Sequence, residues 1–170
     1  VVPSTPTPCP REAWGWFEEA LRASPGARER IGCPVEDARS LTAASQDFEG
    51  GITVWREDEG LIYVFYDGGG WESYDDEWRE GMAEQDPAYG PAPEGLIQPK
   101  RGFGLVWQEH PAVRDGLGWG LNEEWRCDDA RVQSFEHGLM LSCRHDVVPR
   151  AKIYVFTVFD DFSYEIYLPG

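Results

Sequence analysis

The chain has 170 residues, with 31 Asp and Glu against 15 Lys and Arg and a net charge of -16. Such a surface repels phosphate backbones and anionic lipid, which argues against nucleic-acid and membrane-surface binding. No apolar run approaches the ~20 residues that span a bilayer, so no membrane insertion is expected.

In chain order, Val1 to Pro8 is rich in Pro, Ser and Thr. That composition favours polyproline geometry and reads as an N-terminal arm that docks on its own domain or on a neighbouring copy. The start at Val1 and not at Met reads as a processed product or a fragment. Arg11 to Arg22 puts Trp14, Phe17 and Leu21 on one helical face, with Pro10 in the first turn and Ser24-Pro25-Gly26 ending it. A second helical turn opens at Pro25 and stops at Gly32, a residue suited to a left-handed cap. Gln46 to Phe48 and Ile52 to Trp55 flank Glu49-Gly50-Gly51 as a hairpin. Leu61 to Tyr66 is a strand, and Asp67 to Gly70 turns it into a further strand from Trp71 to Tyr74. Gly81 to Lys100, with four prolines and three glycines, is a linker.

The second half repeats the first at a spacing near 86 residues. Ser24-Pro25 through Ile31-Gly32 aligns with His110-Pro111 through Leu117-Gly118, and Phe17 with Phe103. Gln46-x-Phe48-x-x-Gly51 recurs as Gln133-x-Phe135-x-x-Gly138, and Ile62-Tyr63-Val64-Phe65 as Ile153-Tyr154-Val155-Phe156. A hairpin around His137-Gly138 and a strand pair turning at Asp160-Asp161 complete the second copy. The expected fold is mainly β (α+β): two homologous antiparallel meander units, each with a small N-terminal helix. The boundaries are an arm over 1–8, a unit over 9–80, a linker over 81–100 and a unit over 101–170.

Cys9, Cys33, Cys127 and Cys143 allow three pairings. Cys9–Cys33 and Cys127–Cys143 are favoured because each pair is local and stays within one half. Disulfides point to an oxidising compartment and hence to export.

The blocks resemble the LGFP-type repeats of bacterial cell-surface proteins. The resemblance rests on Ile31-Gly32-Cys33-Pro34 with Gln46, Phe48, Gly51 and Trp55, and on Leu117-Gly118-Trp119-Gly120 with Gln133, Phe135 and Gly138. The chain also looks like uncharacterised secreted domains of filamentous green bacteria, through Gly102-Phe103-Gly104-Leu105-Val106-Trp107. The second copy departs from the pattern, with Gly120 for the turn proline and Ser142 for Trp55. The resemblance implies an extracellular or cell-surface location, wall association or surface interaction, and no catalytic residues.

Chemistry-bearing patterns are sparse. No nucleophile elbow is present, and Cys143-x-His145 is two neighbours on one strand face. Cys127, His137, Cys143 and His145 match no zinc spacing, and the disulfide reading uses both thiols. Asp75-Asp76-Glu77 and Glu57-Asp58-Glu59 read as solvated turns rather than calcium loops. The aromatic set carries more: Trp55, Trp71, Trp78, Trp107, Trp119 and Trp125 fall on or beside strands and turns, where exposed rings stack on sugars or anchor interfaces. Trp71 and Trp78, among acids and glycines, are the expected exposed pair. The reading is a non-catalytic extracellular structural or interaction module without cofactor or metal. It self-associates into a surface assembly or filament through the arm or strand edges. The alternative is a carbohydrate or cell-wall binding module that uses exposed Trp, and the third class is a hydrolase with converging carboxylates.

Overall fold

The computed structural model describes residues 7–147 and 149–170. Two short helices come first, α1 (Gly15–Ala23) and α2 (Pro25–Ile31). They are followed by β1 (Arg39–Ser40), β2 (Ala43–Phe48), β3 (Gly51–Arg56), β4 (Leu61–Tyr66) and β5 (Trp71–Asp75). A 3-10 turn at Pro87–Tyr89 interrupts the linker. The same order then recurs: α3 (Arg101–Glu109), α4 (Pro111–Leu117), β6 (Trp125–Arg126), β7 (Asp128–Phe135), β8 (Gly138–His145), β9 (Lys152–Phe159) and β10 (Tyr164–Tyr167).

The strands form two five-stranded antiparallel sheets, ordered β5-β4-β3-β2-β6 and β1-β7-β8-β9-β10. Alternation along each strand separates two buried faces. Ile52, Val54, Tyr63 and Phe65 of one sheet meet Val132, Leu141, Phe156 and Val158 of the other in a central core. The opposite face of the second sheet, with Met140, Val155 and Phe159, is covered by Phe17, Leu21 and Ile31 of α1 and α2. The opposite face of the first, with Ile62 and Val64, is covered by Phe103, Val106, Trp107 and Leu117 of α3 and α4. The layers run helix, sheet, sheet, helix. Burial on both faces explains why Leu61 to Tyr66 reads as an unbroken apolar run.

The mainly β, α+β expectation agrees with this architecture, but its packing differs from the expected one. Each helix pair lies on the sheet of the other half, not beside its own meander. Gly32 and Gly118 end α2 and α4 at φ 78° and 69°, a turn that disfavours a β-carbon. The turned chain then meets the opposite hairpin. The Cys33 N–H donates to Glu136 Oε1 at 2.6 Å and the Glu136 N–H to the Cys33 carbonyl. Trp119 and Glu49 repeat both bonds, at 2.9 and 3.0 Å. Beyond them β1 pairs with β7, and β6 with β2. Residues 9–80 and 101–170 are thus halves of the sequence, each completed by the other.

Two boundaries also shift. The first helix starts at Gly15, not Arg11, because Gln133 holds the preceding segment outside the helix. Gln133 Oε1 accepts from the Trp14 N–H at 2.9 Å, and its Nε2 donates to the carbonyls of Glu12 and Glu36. The last strand begins at Tyr164, since Phe162 sits in the turn with φ 65°. The docked arm expected over Val1 to Pro8 falls mostly on residues outside the described ones.

Candidate functional site

The structure contains the disulfides Cys9–Cys33 and Cys127–Cys143, the pairing favoured on locality. Their four thiols are therefore not available as zinc ligands or nucleophiles. The repeat motif residues hold the exchanged halves together. Phe48 and Phe135 face the helix layers, Gly51 and Gly138 open the return strands of the two hairpins, and Gln46 Nε2 donates to the Asn122 carbonyl at 2.8 Å. Pro34 forms an isolated bridge with Phe135. Its counterpart Gly120 forms the matching bridge with Phe48 and a second one with Ile97: its N–H donates to the Ile97 carbonyl at 2.8 Å, and Ile97 returns the bond at 2.9 Å. A β-carbon there would stand 2.7 Å from Gln46 Nε2. The missing proline of the second copy thus has a local cause.

The tryptophans fall into different settings. Trp107 is buried and donates to the Gly118 carbonyl at 2.7 Å, with Trp119 packed on it at 5.2 Å and Tyr89 of the linker edge-on at 5.4 Å. Trp125 is buried, with the His145 ring parallel at 3.9 Å. Trp71 is half-buried, packs between Tyr63 and Phe162, and donates from its indole to the Phe159 carbonyl at 3.0 Å. These rings close layers or seams. Trp71 and Trp78, expected to be the exposed pair, are thus both half-buried, and it is Trp55 and Trp78 that meet at an open cavity.

That cavity holds about 150 Å³. Trp55 and Ile62 point toward it from the helix-covered face of the first sheet, and α3 supplies Arg101, Gly102 and Phe103. Asp76 and Trp78 come from the segment after β5, and Glu124 lies just before β6. The close approach of α3 depends on Gly102, where a β-carbon would lie 2.6 Å from Asp76 Oδ1 and 3.1 Å from Ile62. Asp76 Oδ1 accepts the Trp78 N–H at 3.2 Å, and the Trp78 indole donates to the Ala83 carbonyl at 3.2 Å, which fixes that ring. Arg101 is held at φ 55°, a conformation that costs a non-glycine residue about 1–3 kcal/mol. Its backbone N–H donates to the Glu84 carbonyl at 2.8 Å, and its guanidinium lies 3.4 Å from Glu124 and 3.8 Å from Glu84.

Two features leave the cavity chemically unsettled. The Trp55 indole nitrogen is sealed from solvent, and so from the open cavity, with no acceptor among the described residues, and a buried donor left unpaired costs roughly 1–3 kcal/mol. Burial also pushes the Glu124 carboxyl above the usual carboxylate range, opposed by Arg101 and reinforced by Asp76. The walls therefore combine two indoles, two acceptor-bearing carboxylates and one guanidinium. Sequence reasoning named Trp55 and Trp78 but missed Arg101, Glu124 and the role of Asp76, which read as part of a solvated acidic turn. Only the fold brings these distant segments together. Comparison with protein-family models, curated proteins and solved structures returned no match.

Proposed function

We propose that the protein is a non-catalytic extracellular recognition module that binds a saccharide ring in the Trp55–Trp78 cleft. One observation carries this reading. The two indoles line a cavity whose walls also present a donor (Arg101) and acceptors (Asp76, Glu124), the combination that a hydroxylated ring needs. An engineered cavity of about 150 Å³ admits benzene, so this open cleft has room for one edge of a pyranose, with the rest of the sugar in solvent. Two disulfides support an oxidising compartment, and the resemblance to LGFP-type repeats supports a surface location. Tryptophan fluorescence titrated with neutral and amino oligosaccharides tests the proposal. Trp78→Ala abolishes the response, whereas Trp71→Ala lowers stability and leaves it. A full response from Trp78→Ala sinks the reading.

Self-association is a second reading, favoured by the position of β10, which among the described residues pairs only with β9. This strand borders its sheet with Ile166 at 40% exposure, and Phe162 and Leu168 nearby are exposed at 63% and 57%. An open edge with apolar neighbours is a template for pairing. The charge of -16 opposes it, so association strengthens with salt. Sedimentation at low and high salt decides, and a monomer throughout ends this reading.

A further inference from the structure

Resting on the saccharide reading, we infer that the cleft selects a sugar ring that carries a protonated amine. Trp55 and Trp78 line the cleft with indole rings, on which a sugar ring stacks and a linear alkylammonium does not. The charges of the wall point to the amine. Asp76 and Glu124 are two carboxylates, and Arg101 is the one cation among the lining residues. That guanidinium is shared with Glu84, which does not line the cavity. The site thus holds one carboxylate more than it has cations, on a chain of net charge -16.

Asp76 spends one oxygen on the Trp78 N–H. Among the described residues, its other oxygen has no protein donor. An ammonium placed at this oxygen supplies a charge-assisted bond, about twice as strong as one from a neutral group. An anionic sugar would meet two carboxylates, and N-acetylation would turn the ammonium into a neutral, bulkier amide. Burial raises the Glu124 carboxyl against the pull of Arg101, and an ammonium in the cleft adds a further charge that favours its ionised form.

The test uses isothermal titration of the full chain with β-1,4-linked glucosamine tetramer, its N-acetylated counterpart, the glucose tetramer and a lysine tetramer. The amine sugar binds about tenfold or more tighter than either neutral sugar and weakens with salt. Glu124→Gln and Asp76→Asn, both isosteric, narrow that preference and keep the residual sugar affinity. Trp78→Ala removes both, with folding verified by circular dichroism. Equal binding of the neutral sugars overturns this inference and leaves the saccharide reading standing. A lysine tetramer that binds as tightly as the amine sugar, with affinity unchanged in Trp78→Ala, reduces the effect to surface charge and overturns it too. No response to any sugar sinks the inference and the saccharide reading together.

Discussion

Arg56 offers the sharpest test of how this sandwich tolerates charge. It ends β3 on the inner face, with its side chain 2% exposed, and Asp58 in the following turn grips it through two bonds of 2.8 and 2.7 Å. Arg39 of β1 lies 2.7 Å from the same carboxylate. Asp58→Ala strands a buried guanidinium beside Glu59, which is half exposed and 3.4 Å away. Losing one partner of a buried pair costs about 3–5 kcal/mol, and Glu59 brings the expectation to roughly 3 kcal/mol. With a urea slope near 2 kcal/mol/M, the unfolding midpoint falls by roughly 1.5 M. Arg56→Met removes the buried charge and leaves Asp58 with Arg39, at a cost of about 1 kcal/mol. Hydrogen bonds from Arg56 hold the Asp58 carboxyl well below the usual carboxylate range, opposed by burial and reinforced by Arg39. Its contribution is therefore complete above the unfolded value near 4 and is lost as pH falls below it, at up to about 1.4 kcal/mol per pH unit. Asp58→Asn flattens that part of the acid limb. An Asp58→Ala midpoint within about 0.3 M of the parent, or an Arg56→Met loss exceeding it, would refute the reasoning.

Three other outcomes follow from the architecture. Each disulfide, closing 24 or 16 residues, contributes about 3 kcal/mol; Cys9–Cys33, half-exposed at both ends, reduces before the buried Cys127–Cys143, as alkylation and mass spectrometry will read. Gly120→Pro, although it restores the residue of the first copy, lowers stability by about 2 kcal/mol or more, because it removes the donor to Ile97 and crowds Gln46; an unchanged thermal midpoint contradicts this. Residues 7–85 or 86–170 expressed alone lack tertiary structure in near-ultraviolet circular dichroism and regain it on mixing, and either half folding alone defeats the exchanged packing.

The strands were legible wherever chemistry was local. Glu49-Gly50-Gly51 announced its hairpin, Leu61 to Tyr66 its doubly buried strand, and Pro25 and Pro111 the starts of short helices. The exchange was not legible. The face carrying Phe17 and Leu21 shows that a sheet must cover it, but the two sheets offer similar apolar faces and the sequence does not say which one. That choice rests on contacts such as Cys33 with Glu136, 103 residues apart. The paired strands β1 and β6 have two residues each, too few for any period. In the cleft, the indoles were visible as residue types. Arg101 and Glu124 were not, because neither has a local pattern that separates a cavity wall from an ordinary charged surface.

Exchange and divergence together explain why the cleft occurs once. Trp55 belongs to the first half, and Arg101 and Glu124 to the second; they meet because α3 lies on the first sheet. At the repeat spacing, Ser142, Gly15 and Ala38 stand where Trp55, Arg101 and Glu124 would be. The mirrored position therefore lacks the ring, the cation and the acid at once. Ser142 is fully buried with its hydroxyl unpartnered, so substituting tryptophan there would overfill a packed layer instead of opening a second cavity. Both copies keep the glutamines, phenylalanines and glycines that join the halves. The second copy's helix pair and the first copy's sheet supply the groups that can hold a ligand. The scaffold therefore depends on both copies, whereas the proposed recognition depends on an interface where they have diverged.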